Sequence, residues 1–244
     1  KNKFGEKVYK VPISISGFTC PNIDGTVAKG GCSFCENDSF SPNLQEKKSK
    51  FKLNPRINEN PYLDNQLKQL EMQFNATKQR LQNKFGTKKF IVYFQSFTNT
   101  YAPIATLKAL YEKALSFENV IGLSIGTRTD CVTDEILDYL VDLSKDKEIW
   151  IEFGIQSFFE EDLQLMNRAH NSVEAKKCLE EATQYFDNIS LDLIYGIPGM
   201  SNEKWKQNIE TALRFGIPHI SSYALTVEPK TALNKLIQTG KVAK

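Results

Sequence analysis

The sequence has no long apolar run and almost no excess of charge of either sign. Its apolar stretches, such as Val120–Ile125, are far shorter than the roughly 20 residues of a membrane-spanning helix. Residues 1–10 are mostly polar and no apolar segment with a small-residue cleavage site follows them, so we expect no signal peptide. Lysine and arginine number 31 against 29 aspartates and glutamates, a net charge of +2. This balance argues against a dedicated nucleic-acid-binding protein.

Cysteine is scarce, and the number of cysteines is odd. Five cysteines without a leader sequence predict a reducing compartment, the cytoplasm, where thiols serve a metal or a reaction. With 244 residues, 41% of them hydrophobic, the chain needs neither a disulfide nor a metal simply to fold. It begins with Lys1 instead of Met and ends within a predicted helix, so we expect residues 1–244 to be a single core domain of a longer chain.

Short β-branched and aromatic segments alternate with longer segments of helical period. The predicted strands are Val11–Phe18, Phe90–Phe97, Val120–Gly126, Trp150–Gln156, Ile189–Gly196 and His219–Leu225. The predicted helices are Pro61–Asn83, Pro103–Phe117, Thr133–Leu143, Glu160–Met166, Ser172–Tyr185 and Ser201–Phe215.

This alternation predicts an α/β fold with a parallel sheet and right-handed crossovers. Either an open doubly wound sheet or a partial barrel fits, because six units fall short of a closed eight-fold barrel. The segment Ser39–Asn60 has little periodicity, so we expect an excursion between the first strand and its helix.

Three cysteines carry the chemistry. Cys20, Cys32 and Cys35 form a C-x11-C-x2-C pattern in the loop after the first strand. Three thiolates on one glycine-containing loop can converge on an iron–sulfur cluster that leaves one iron open to another ligand. A zinc site is the alternative, with a distant fourth ligand such as Cys131, Cys178, His170 or His219. The third possibility is that the cysteines are incidental and bind no metal.

The loop resembles the radical S-adenosylmethionine (SAM) superfamily, because it follows strand one and ends in C-x-aromatic-C. The usual pattern there is C-x3-C-x2-C. The wider first gap is similar to the YhcC-like branch of the superfamily, as are residues 93–103, 122–131 and 150–157. Residues 165–170, 192–199 and 219–229 instead resemble the oxygen-independent coproporphyrinogen III oxidases and the related HemW heme chaperones.

The resemblance implies a partial (β/α)6 radical SAM barrel, a TIM-barrel variant with parallel strands and outer helices. It implies Cys20, Cys32 and Cys35 as ligands of a [4Fe–4S] cluster whose fourth iron is chelated by SAM. The reduced cluster would cleave SAM to methionine and a 5′-deoxyadenosyl radical, with flavodoxin or ferredoxin as electron donor. The resemblance specifies neither the substrate nor whether the reaction is an oxidation or a transfer.

The same resemblance implies a set of SAM contacts. Phe34 and Asp192 would lie near the adenosine, with the Gly196, Ile197 and Pro198 backbone beside the adenine. Gln95 and Ser96 stand where the superfamily usually has a glycine pair that meets the SAM amino group. Gln156 would contact SAM, and Arg168 would meet its carboxylate.

For three of these contacts there is a simpler structural explanation. Phe34 would only pack within its loop, Arg168 would lie on a surface helix, and Gly196–Gly199 would form a turn.

Glu152 interrupts an otherwise apolar strand. If it faces the barrel interior it needs a partner, and we expect Arg128 to be that partner, near the SAM ribose or the substrate. We expect His170 and His219 to be structural, and Cys131 and Cys178 to act as small buried apolar residues.

Two other functions compete with the enzyme. One is a heme chaperone of the HemW type, or a coproporphyrinogen III oxidase-like protein of porphyrin biosynthesis, with heme as a ligand. The other is a zinc-binding protein without redox chemistry.

Overall fold

The computed structural model describes residues 3–35 and 51–243. The strands are β1 (Val8–Ile13), β2 (Lys89–Phe94), β3 (Val120–Thr127), β4 (Glu148–Gln156), β5 (Ile189–Tyr195) and β6 (His219–Ala224). The helices are α1 (Leu63–Phe85), α2 (Ile104–Leu115), α3 (Asp134–Ser144), α4 (Glu160–Leu165), α5 (Ser172–Ala182), α6 (Asn202–Arg214) and α7 (Ala232–Gln238). A short 3₁₀ turn, Thr129–Cys131, follows β3.

The six strands form one parallel sheet in the order β1-β2-β3-β4-β5-β6. A doubly wound sheet reverses its strand order at a switch point, whereas this order never reverses. The architecture is therefore a half-barrel of six strands with helices on the outside, and all loops that follow strands lie at one edge.

The two faces of the half-barrel differ in polarity. Alternate strand residues such as Val11, Phe94 and Ile151 are fully buried under the helices in one apolar core. The other face is concave and carries a polar layer that we define as Lys10, Tyr93, Ser124, Trp150, Glu152 and Asp192.

Strand β1 is displaced from its prediction, since it ends at Ile13 and the predicted strand ran to Phe18. Glutamine side chains of α1 replace a neighbouring strand beyond Ile13. Gln73 both donates to and accepts from the Ser14 backbone, at 2.8 and 2.9 Å. Gln69 and Gln66 bind the backbone N–H and carbonyl of Ser16, at 2.8 and 2.7 Å.

Three further expectations can be compared with the structure. The last helix ends at Gln238, so the helix predicted to run to the end of the sequence is shorter than expected. Residues 39–50 of the predicted excursion lie outside the described residues, and residues 51–60 form neither helix nor strand. Among residues 3–35 and 51–243, no helix is both long enough and apolar enough to cross a membrane.

Candidate metal and cofactor site

The cysteine loop lies at the edge of the sheet where the strands end. Thr98, in the loop after β2, donates its hydroxyl to Cys20 Sγ at 2.9 Å, and its backbone N–H binds the Thr19 carbonyl. On the other side, Ser33 is bound to the end of α4, with its N–H on the Met166 carbonyl at 2.9 Å. Two loops from distant parts of the sequence therefore hold the cysteine loop.

Burial controls the thiol chemistry of Cys20. It raises the pKa of Cys20 to about 11, although the Thr98 hydroxyl and the Arg128 charge act in the opposite direction. A metal ion displaces the proton of a coordinating thiol. A buried thiol next to two guanidinium groups, Arg128 and Arg168, therefore suits an anionic metal centre better than a free thiolate.

The described residues present no assembled set of three metal ligands, either for a zinc ion or for a cluster. The proposed fourth ligands are also scattered: His219 begins β6 at the opposite edge of the sheet, and Cys178 packs on α5 against the core. Cys131 and His170 are buried near the cysteine loop.

Arg168 points into this site and is not a solvated surface residue. One guanidinium nitrogen donates to Cys32 Sγ at 3.5 Å, and another donates to the Gly154 carbonyl. Its Nε is buried without a hydrogen-bond partner. The Nε–H donor of Arg168 is therefore unpaired beside the Cys32 thiol and is suited to bind an incoming carboxylate.

Gln156 lies next to Arg168 because residue 154 is glycine. A Cβ atom at Gly154 would lie 2.9 Å from Gln156 Nε2 and 3.6 Å from Arg168 Nη2. Gln156 ends β4 with a φ of 73°, beside a bulge in the pairing with β5. This left-handed conformation is unusual for glutamine.

The expected pairing of Arg128 with Glu152 is wrong. Arg128 is buried and makes a bidentate pair with Asp130, at 2.8 and 2.6 Å, and a third bond to Asn22 Oδ1 at 2.7 Å. Burial alone would raise the pKa of Asp130, but His170 and Arg128 hold it well below its usual range. Arg128 therefore pairs with Asp130, only two residues further along the chain, and not with Glu152.

Glu152 does face the interior, as expected, and Lys10 of β1 is its partner. Ser124 donates to the same carboxylate at 2.8 Å, and the Lys10 ammonium lies 4.5 Å from the Tyr93 ring centroid. Burial works against ionisation, but hydrogen bonds from Lys10 and Tyr93 outweigh it, so the pKa of Glu152 is lowered. The pair is the charged centre of the concave polar layer.

Asp192 belongs to the same layer but has no cation of its own. Burial, reinforced by the charge of Glu152, raises the pKa of Asp192 to about 7, and a hydrogen bond from Ser221 opposes the shift. Asp192 is thus a carboxyl group facing the concave side that changes its protonation near neutral pH.

Gln95 and Ser96 follow the end of β2. Ser96 is buried, and its hydroxyl lies 2.6 Å from the hydroxyl of Ser14 after β1. Strand alternation puts Gln95 on the concave side, in line with Tyr93. The two residues therefore sit at the edge that also carries the cysteines.

Phe34 and the turn after β5 share a small apolar cluster. Phe34 packs against the group formed by Leu163, Met166, Ile194 and Ile197. Gly196 is exposed with a φ of 72°, and Pro198 is half-buried. Phe34 thus joins the cysteine loop to the end of β5, the strand that carries Asp192.

Buried polar atoms without a hydrogen-bond partner accumulate at this edge. Within the part of the chain that the structure describes, they include Thr19 Oγ1, Thr129 Oγ1 and Arg168 Nε. Such orphans are costly in a folded protein and point to a bound group. The Cys20 and Cys32 thiols, the two guanidinium groups and these spare polar atoms suit an anionic metal centre with a polar co-ligand.

Sequence reasoning missed several residues of the site. Asn22 and Asp130 hold Arg128, Thr98 binds Cys20, and Lys10 neutralises Glu152. The sequence carried no signal for Lys10, because the predicted first strand began at Val11 and the observed strand begins at Val8. Nothing in the sequence marks Thr98 or Asn22 beyond their places near the cysteines or a strand end.

Comparisons with known proteins match long stretches of this chain. The family model described as the radical SAM superfamily matches residues 25–212. Protein YhcC of Escherichia coli (strain K12) is 31% identical over 242 residues, covering 98% of this chain and 70% of YhcC. The heme chaperone HemW of Bacillus subtilis is 38% identical, but only over 93 residues, 38% of this chain and 24% of HemW.

Among solved structures, the chain resembles coproporphyrinogen III oxidase (HemN) from Escherichia coli, described as a radical SAM enzyme. The TM-score is 0.59 at 18% identity, over 98% of this chain and 48% of HemN. The likeness shows a shared fold, and the chain spans about half the length of that protein.

Proposed function

This chain belongs to the radical SAM superfamily, and from that premise we propose that it is a radical SAM enzyme whose cluster is held by Cys20, Cys32 and Cys35. The family normally uses a [4Fe–4S] cluster and SAM. When bound, the cluster supplies the electron that splits SAM into methionine and a 5′-deoxyadenosyl radical. The observation that carries the proposal is that Cys20 and Cys32 lie beside Arg128 and Arg168, on the half-buried loop that also carries Cys35.

Arg168 is proposed to bind the SAM carboxylate. It is already fixed by Cys32 and the Gly154 carbonyl, so its orientation costs little entropy when the ligand arrives. Its partnerless Nε supplies a charge-assisted donor. Gln156, stacked over Gly154, is proposed to add a polar contact to the same end of SAM.

The remaining contacts divide between the two ends of SAM. The backbone at Gln95 and Ser96 is proposed to meet the amino group. Asp192, Phe34 and the turn at Gly196, Ile197 and Pro198 are proposed to line the adenosine. Phe34 and Ile197 share one apolar cluster next to β5, which supports this grouping.

Glu152 and its partner Lys10 are proposed to orient the ribose or the substrate from the concave side. Arg128 is proposed to act beside the cysteine loop, since Asn22 and Asp130 hold it there. Flavodoxin or ferredoxin is the proposed electron donor. Free cysteines and an oxidation-sensitive cluster favour a reducing compartment, the cytoplasm.

Product analysis tests the proposal. Anaerobically reconstituted protein with dithionite and SAM should slowly release 5′-deoxyadenosine even without substrate. Replacing Cys20, Cys32 or Cys35 with alanine should abolish the product, whereas Cys178→Ala should retain it as the matched control. An intact cluster that releases no 5′-deoxyadenosine would contradict the enzyme proposal.

A heme chaperone is the second candidate, because a 93-residue stretch of the chain is 38% identical to the heme chaperone HemW of Bacillus subtilis. Under this proposal the half-barrel would bind heme and deliver it, or act in porphyrin metabolism. Titration with hemin separates the two: stoichiometric binding without 5′-deoxyadenosine favours the chaperone. Product release without stoichiometric heme binding favours the enzyme.

A further inference from the structure

The eleven residues between Cys20 and Cys32 divide into a stem and a loop. The Gly31 N–H donates to the Asn22 carbonyl at 2.8 Å, which brings the two ends of the gap together. Residues 23–30 lie outside this hydrogen bond, and most of them are half-buried or exposed. We infer that the cysteine loop has the usual C-x3-C-x2-C geometry with an eight-residue loop added between Asn22 and Gly31, and that Asn22 is the positioning residue that closes the stem.

The count of residues supports this reading. Only Pro21, Asn22 and Gly31 separate Cys20 from Cys32 once residues 23–30 are set aside, which leaves the three-residue gap of the usual pattern. Asn22 lies two residues after Cys20 and Gly31 lies one residue before Cys32, so the hydrogen bond between them brings the two cysteines close together. The wide gap in sequence therefore does not separate the two thiols in space.

Asn22 is fixed on both sides of its amide. It is fully buried, its Oδ1 accepts from Arg128 at 2.7 Å, and its Nδ2 donates to the Asn167 carbonyl. Arg128 is in turn held by both carboxylate oxygens of Asp130. A buried amide with both ends satisfied fixes one orientation, because any other would leave a polar atom unpaired.

The Gly31 end of the stem is bound to the same residue, Asn167. Asn167 donates its side-chain amide to the Gly31 carbonyl at 2.8 Å. Asn167 itself has a φ of 53°, a left-handed conformation that asparagine tolerates better than most residues. Both ends of the gap are thus fastened to the connection between α4 and α5.

The added loop is bonded mainly to its own stem. The backbone N–H groups of Ile23 and Val27 donate to the Cys20 and Pro21 carbonyls, at 2.8 and 3.1 Å. Lys29 and Gly30, just before the stem residue Gly31, are exposed, and within the described residues their N–H groups make no backbone hydrogen bond. A change of length between Lys29 and Gly30 should therefore leave the stem intact.

The inference rests on the proposed role of the cysteines, so the test first avoids the cluster. We would use metal-free, reduced protein carrying Cys35→Ala, Cys131→Ala and Cys178→Ala, which leaves Cys20 and Cys32. Phenylarsine oxide is the probe, because it binds tightly only where two thiols lie close together. One arsenical per chain is the expected result.

Two insertions of the same Gly-Ser pair then distinguish stem from loop. Inserted between Lys29 and Gly30, the pair should change arsenical affinity by less than threefold. Inserted between Gly31 and Cys32, it should weaken binding at least tenfold. Equal loss in both variants, or no loss in the second, would overturn the inference.

Asn22→Ala should also weaken arsenical binding at least tenfold. Its matched control is Asn208→Ala, since Asn208 is equally buried but its side chain binds the Phe158 N–H in the connection between β4 and α4. The control should lose thermal stability while binding the arsenical within twofold of the parent. An Asn22→Ala protein that binds like this control would overturn the positioning role. If the arsenical results hold but the parent takes up no iron, the proposed function fails and the stem remains.

Discussion

Arg168→Ala removes the side chain on which the proposed SAM site depends most. In the free protein the guanidinium already bonds Cys32 and the Gly154 carbonyl, which leaves Nε for the ligand carboxylate. A hydrogen bond to a charged partner contributes about 1.5–3 kcal/mol. The variant should therefore bind SAM about 10- to 150-fold more weakly.

Isothermal titration with SAM measures this loss, on reconstituted samples matched for iron per chain. Matching is needed because Arg168 also contacts a proposed iron ligand, Cys32. Arg168→Lys should recover only part of the affinity, since an ammonium cannot reproduce the planar fork geometry of the guanidinium. Arg80→Ala, on the exposed face of α1, is the matched control. SAM affinity of Arg168→Ala within twofold of the parent would refute the assigned role.

Three further changes test the surroundings of the site. Gly154→Ala puts a Cβ atom 2.9 Å from Gln156 Nε2, so SAM titration should show about 5- to 30-fold weaker binding. Unchanged affinity would contradict the proposed contact of Gln156 with SAM. Lys10→Met leaves Glu152 buried without its cation, and urea unfolding should show a loss of about 1–3 kcal/mol at pH 7. The loss should shrink near pH 4, where the carboxyl of the variant, no longer held ionised by Lys10, takes up a proton. A loss equal at both pH values would argue against the ion pair. Because burial raises the pKa of Asp192 to about 7, ionisation costs the folded state stability as pH rises from about 4 to 7. Asp192→Asn should therefore gain relative to the parent over that interval, by at most about 4 kcal/mol, and a constant difference would refute the shift.

The sequence predicted the order and type of the strands and helices well, because the pattern of one apolar and one polar face along each strand is local information. Six strands and the helices between them lie where the periodicity indicates, within a few residues. The first strand was the exception. Its end is set by Gln66, Gln69 and Gln73 of α1, side-chain contacts about 50 to 60 residues away that periodicity does not reveal.

The site residues show the same contrast between local patterns, which the sequence reveals, and tertiary contacts, which it does not. The cysteine loop was visible as a motif, and Gln156 at the end of β4 and Arg168 after α4 were singled out by the resemblance. The partner of Glu152 was misassigned to Arg128, because the choice between Lys10 and Arg128 depends on which side chain crosses the concave face. Asn22 was overlooked because its role arises from tertiary contacts with Arg128 and Asn167.

Iron and acid-labile sulfide analysis of anaerobically reconstituted protein, with electron paramagnetic resonance before and after SAM, tests the central claim most directly. We expect about four irons and four sulfides per chain, as in a [4Fe–4S] cluster, and a reduced-state spectrum that changes when SAM is added. Alanine at Cys20, Cys32 or Cys35 should abolish both, while Cys131→Ala should not. A colourless protein that binds one zinc ion tightly, or a cluster whose spectrum ignores SAM, would contradict the account.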